Sequence, residues 1–195
     1  NLSNVYQNTG RIDQAIELLE KTIQKEKLTN AQKGLLYNNL GSNYFLNTRA
    51  TKMKSYAFEN AEKAFLKAVL LLEREPSQHE ALTNSYRNLC KLNLERKNKQ
   101  MALHYFEKAK HTFEKIPNPN PRKKAQFYFD EANMLFKQRE ITASSLAIER
   151  VFKTLIPAYS SAKTVLPNQS ALYAETILLD VLDLQAELFL AQSQP

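Results

Sequence analysis

The chain has 195 residues, 43% of them hydrophobic and 24% charged, with a net charge of +7, 3 Gly and 1 Cys. So few glycines exclude hairpin-rich and barrel folds, whose turns need positive φ, and no apolar run approaches the roughly 18 residues that suggest a membrane span. The single cysteine, Cys90, excludes an intrachain disulfide and a cysteine metal site, and it fits a reducing, cytoplasmic setting.

Taken in chain order, residues 1–27 place Leu2, Ser3 and Tyr6 on one helical face, then Gly10 at a turn, then Ile12, Ala15, Leu19 and Thr22 on a second helix. Residues 30–74 repeat this more fully. Tyr37, Leu40, Gly41 and Tyr44 align large, large, tiny, large along one face, and Ala61, Phe65 and Ala68 give a small, bulky, small complement. Two antiparallel helices crossing closely at Gly41 satisfy both patterns. From Gly41 to Ala61 is 20 residues where Ser3 to Ala15 takes 12. The extra eight residues, about two helical turns, are expected as one turn on each helix, with 47–52 as a longer basic loop.

Residues 77–116 form a third unit. Pro76-Ser77 followed by Glu80 predicts a capping box. Tyr86, Leu89 and Cys90 repeat Tyr37, Leu40 and Gly41, and Ala102, Phe106 and Ala109 repeat Ala61, Phe65 and Ala68. Asn93 stands where an aromatic is expected and Lys97 where the turn glycine is, which weakens local packing. The run Pro117-Asn-Pro-Asn-Pro121 is a stop and a restart, with Asn120 as N-cap and Pro121 in the first helical turn. Residues 121–156 then give a degenerate fourth unit. Tyr128 and Ala132 suit its first helix; Ala147, Val151 and Thr154, or else Ser144, Ile148 and Val151, suit its second. Pro157 should end or kink that helix. Residues 168–191 predict an amphipathic helix that acts as a cap or begins a fifth unit.

This succession resembles the tetratricopeptide repeat family, closely over residues 1–116 and loosely over 121–156. The resemblance implies an all-α fold, a right-handed α-solenoid of helix-turn-helix repeats forming one array over 1–195. The alanines at 15, 61, 102 and 147 lie 46, 41 and 45 apart, against about 34 for the minimal repeat, so long helices are expected. A start without Met inside a repeat reads as a piece of a longer protein.

No glycine-rich phosphate loop and no nucleophile motif occurs, so no catalytic residue and no cofactor is expected. His104 and His111 can share a helix face, but no cysteine or carboxylate cluster completes a metal site. Most aromatics fill core positions rather than a base-stacking platform. Lys and Arg are interleaved with Glu, and their densest cluster, Arg122-Lys123-Lys124, sits at a helix start. Nucleic acid and membrane are therefore set aside as partners.

The resemblance implies a concave groove built from the first helix of each repeat. The side chains expected in it are Asn4, Asn38, Asn39, Arg87, Asn88, Lys91 and Asn133. Asn can pair with a peptide backbone as donor and acceptor, and Arg or Lys can take a carboxylate. Asn4 and Asn39 resemble part of the family's clamp for a C-terminal carboxylate, but Asn84 and Asn88 stand where its basic partners are expected. A generic peptide groove, or one filled by a C-terminal domain of the same protein, is therefore favoured.

The expected function is a non-catalytic protein–protein interaction scaffold that binds a peptide or protein segment. Ile156-Pro157 and the segment from Val165 to Asp183 resemble the region that follows long tetratricopeptide arrays in bacterial proteins with a caspase-like CHAT peptidase domain. That likeness implies a regulatory or sensing arm whose catalytic domain lies elsewhere. The peptide-sensing part of a transcription regulator is a further alternative.

Overall fold

A computed structural model describes residues 2–25, 27–49, 51–156, 159 and 177–193, apart from the side chains of Leu2, Asn4 and Ser193. Among the described residues every regular element is a helix, and there are nine: α1 (Leu2–Asn8), α2 (Ile12–Ile23), α3 (Asn30–Asn47), α4 (Lys54–Leu72), α5 (His79–Glu95), α6 (Lys99–Phe113), α7 (Pro121–Lys137), α8 (Ile141–Leu155) and α9 (Ile177–Ser193). Helices pack as sequence neighbours: α1 on α2, α3 on α4, α5 on α6 and α7 on α8. The fold is an all-α helical repeat. It divides into two compact units, one ending at Ile116 and one beginning at Pro117.

Small residues set the helix crossings. A Cβ built on Gly41 would lie 2.6 Å from the Phe65 ring, so α3 and α4 approach as closely there as a bare backbone allows. Phe65 is fully buried between Ala61 and Ala68, both also at 0% exposure. Ser3, Cys90 and Ala132 occupy the same slot on α1, α5 and α7, and all three are buried. Gly34 makes a second close approach, toward Leu72 at the far end of the α3–α4 pair, with a Cβ-to-Cγ distance of 2.6 Å.

Three of the turns within pairs share one geometry. Gly10, Lys97 and Arg139 adopt φ of 74°, 59° and 68°. The residue after each donates its N–H five residues back: Arg11 to Tyr6, Asn98 to Asn93 and Glu140 to Leu135. These are Schellman endings, which place the residue after the helix in the left-handed region. Lys97 thus keeps the turn that its lack of glycine was expected to weaken, at the cost of strained backbone.

The same turn settles the fourth unit. Arg139 lies five residues before Ser144, as Gly10 lies five before Ala15 and Lys97 five before Ala102. Ser144 is fully buried and its hydroxyl donates to the Ala132 carbonyl at 2.8 Å. The register is therefore Ser144, Ile148 and Val151, and Thr154 points outward to a half-exposed position. Ala147 and Phe152 are buried as well, because α8 also faces α9.

Two local expectations are corrected. The N-cap of α5 is Gln78, with no side-chain cap, so Ser77 lies one residue too early to cap and no Ser77–Glu80 box forms. The capping box in this unit is Thr29 with Gln32, at the start of α3. The eight extra residues of the second repeat do lengthen the loop, but they are not divided into one turn on each helix. Measured against α5–α6, one lengthens α3, three widen the loop and four extend the start of α4 by a turn. That turn buries Ala57 and sets Phe58 against Phe45, with ring centroids 6.1 Å apart.

The expected cap of α7 follows directly, as Asn120 Oδ1 accepts from the Arg122 N–H at 2.9 Å beside Pro121. α8 ends at Leu155, two residues before Pro157, which lies outside the described residues together with 168–176. Leu178, Val181, Leu184 and Leu188 bury one face of α9 against α7 and α8. On its other faces Leu179 and Leu190 stay about two-thirds exposed, at 66% and 67%.

Candidate functional site

The residues expected to line a groove are those of the first helices, α1, α3 and α5 in the first unit and α7 in the second. In the first unit α3 and α5 touch directly, although α4 separates them in sequence. Their contact is polar. Asn88 Nδ2 donates to Asn38 Oδ1 at 3.0 Å and to Ser42 Oγ at 3.4 Å. Ser85 Oγ donates to the same Asn38 oxygen at 3.2 Å and to its own helix at Ala81. Two asparagines and two serines thus stitch the first helices of adjacent repeats together.

This use of Asn38 and Asn88 differs from the sequence expectation, in which both amides face a ligand. Asn38 Oδ1 already accepts two bonds, which fills its lone pairs. This contact leaves the Asn38 amide NH2 and the Asn88 amide oxygen unused, on two half-buried residues. Arg87 Nη1 donates to Asn84 Oδ1 at 2.9 Å, so Asn84, expected only as a departure from the clamp, steadies the guanidinium. Lys91 follows one turn later on α5, also half-buried. Asn39 is half-buried, and its carbonyl accepts from the buried Asn43 side chain at 2.9 Å.

Asn133 is on α7. It belongs to the second unit, where its amide turns back to the Phe129 carbonyl at 3.2 Å. The side chain of Asn4 lies outside the described residues. Ser42 and Ser85 are the members that sequence reasoning missed. Their signal was a small hydroxyl one turn after Asn38 and one turn before Asn88.

Further ties join the first helix of one repeat to the second helix of the repeat before it. The Tyr44 hydroxyl donates to Glu20 at 2.7 Å, reaching from α3 to α2. The Tyr86 hydroxyl donates to Glu73, reaching from α5 to the end of α4. Burial, and then these carboxylate acceptors, push both phenols above the ordinary tyrosine range. Arg96 Nη1 pairs with Glu62 at 2.6 Å and lies over the Phe58 ring.

Among the described residues no three His, Cys, Asp or Glu gather as a metal site would require, and no helix is long and apolar enough to cross a membrane. No known family model matches the chain, and no curated protein matches it. Among solved structures it is similar to BtubC (BKLC) from P. vanneervenii, with a TM-score of 0.66 at 19% sequence identity. That match covers 85% of this chain and 67% of the other. At such identity the likeness is one of fold.

Proposed function

We propose that the chain is a tetratricopeptide-type array acting as a non-catalytic, cytoplasmic interaction scaffold that takes a peptide or protein segment along its row of first helices. One observation carries this reading: the bonds from Asn88 and Ser85 to Asn38 hold α3 and α5 side by side, with Arg87 steadied by Asn84 beside them. A surface already fixed in this way loses little conformational entropy when a partner docks. The guanidinium of Arg87 and the ammonium of Lys91 would take carboxylates of the bound segment, while the amide groups that the Asn38–Asn88 contact leaves unused would pair with its backbone.

The test is capture of partners with this chain as bait, beside Arg87→Ala and Lys91→Ala. The reading expects at least one partner to be recovered by the native chain and lost from both variants. Equal recovery of every partner by all three would exclude the first-helix row.

A further inference from the structure

Helix α9 stands in its unit as a first helix stands in a repeat, packing on α8 and α7 as α5 packs on α4 and α3. Burial fixes its register. Five residues before and two after the small slot, α5 buries Ser85 and Leu92, and α7 buries Phe127 and Met134. On α9 the residues so placed are Val181 and Leu188, both buried, which puts Ala186 in the slot. Leu182 lies four residues before it, as Tyr37, Tyr86 and Tyr128 lie before Gly41, Cys90 and Ala132.

In α3, α5 and α7 that slot faces the second helix of the pair, and Gly41, Cys90 and Ala132 are buried. In α9 it is exposed. Ala186 is joined there by Leu179 and Leu190, seven residues before and four after it on the same helical side, each about two-thirds exposed. Leu182 borders this side half-buried. Asp180, Asp183 and Glu187, three and four residues apart, run along one edge of it, all exposed. α9 carries no Lys, Arg or His, so the edge is acidic on a chain whose net charge is +7.

We infer that this exposed side of α9 docks an amphipathic helix of a partner protein, one with small, bulky and small residues at spacings of four and three and with Lys or Arg beside them. The apolar half of that description is what the repeat places opposite the slot elsewhere: Ala61, Phe65 and Ala68 opposite Gly41, and Ala102, Phe106 and Ala109 opposite Cys90. A bulky residue over Ala186, flanked by small ones that let the backbones close, reproduces this crossing and covers Leu179 and Leu190. The cationic half follows from charge, since Lys or Arg on the incoming helix meets Asp183 and Glu187. A second copy is a poorer occupant, because its own α9 brings the same carboxylates and no cation.

The test uses a fluorescein-labelled peptide, held helical by side-chain cross-links, with Ala, Phe and Ala at those spacings and Lys on its polar positions. Fluorescence anisotropy reads its binding to the whole chain. Saturable binding is expected, and the same peptide with Glu in place of Lys should bind at least about ten-fold more weakly. Leu179→Lys and Leu190→Lys should each weaken binding about ten-fold. Leu70→Lys, on an exposed leucine of α4, should change it less than about two-fold. Asp183→Lys combined with Glu187→Lys should reverse the preference, so that the Glu peptide binds more tightly than the Lys peptide.

All four α9 residues are exposed, so the helical circular dichroism should be kept. If one leucine variant disturbs it, the other carries the comparison, and the charge reversal depends on neither. Absence of saturable binding, silent leucine variants, equal weakening by Leu70→Lys, or a preference that survives the charge reversal overturns the inference. So does a concentration-dependent dimer in sedimentation that Leu190→Lys dissolves, which assigns the surface to a second copy.

Discussion

The α3–α4 and α5–α6 pairs are built on one pattern, yet they fill the crossing differently. Gly41 brings α3 against the Phe65 ring with no space for even one added carbon. Cys90, in the same slot of α5, fits a Cβ and a sulfur beside the equally buried Phe106. What repeats is the bulky ring flanked by alanines on the opposing helix, while the slot facing it holds a bare backbone in one pair and a buried side chain in the other.

That comparison can be broken by exchanging the slots. Gly41→Cys, which reproduces the α5 residue in α3, should cost about 3 kcal/mol, because Phe65 is fully buried and cannot yield. The reverse change, Cys90→Gly, should cost less, about 1–2 kcal/mol from a lost buried side chain and a freer backbone. Thermal or urea unfolding measures both. Equal costs, or a tolerated Gly41→Cys, would show that the two crossings share one geometry.

Ser144 extends the comparison to the second unit, where a hydroxyl replaces the alanine opposite the slot. Ser144→Ala should cost about 1 kcal/mol, since its bond to the Ala132 carbonyl is buried. An unchanged midpoint would remove that bond from the account. At the turns the expected sign reverses. Lys97→Gly and Arg139→Gly should each stabilise by about 0.5–1 kcal/mol, the left-handed strain relieved exceeding the entropy glycine adds to the unfolded chain. A lower melting temperature for either would contradict the Schellman reading.

The smallest effect concerns pH. Burial, followed by bonds to Glu73 and Glu20, holds the Tyr86 and Tyr44 hydroxyls protonated above their usual range. In the unfolded chain both ionise near about pH 10. Their contribution is complete below that pH and declines as pH climbs from there toward the folded values. The chain should therefore lose stability above about pH 10, and Tyr44→Phe with Tyr86→Phe should lose less over the same interval. Parallel curves for the two proteins would contradict it.

The core was legible in the sequence because it depends on size at helical spacing. Gly41, Cys90, Ala61, Phe65, Ala102 and Phe106 lie buried where their intervals placed them. The start of α5 was misread because Ser77 and Glu80 match a cap in composition, whereas the chain turns once more before the helix begins. The fourth register was ambiguous since Ser144, Ala147, Ile148 and Val151 are all small or apolar. The positive φ of Arg139 distinguishes them, and arginine gives no sign of that conformation. Asn38 and Asn88 were legible as polar and near the core, but not as partners of each other. A contact between residues 50 apart in sequence is set by how repeats stack, which spacing within one repeat does not encode.

The Asn38–Asn88 contact is also where the account is most directly tested. A double-mutant cycle of Asn38→Ala and Asn88→Ala, read by urea unfolding, isolates the energy of that link from the cost of either truncation alone. If adjacent first helices are held side by side through it, the two losses will fall short of additivity by about 0.5–1.5 kcal/mol. Strict additivity would mean that the two helices are not joined there, and the preformed row would go with it.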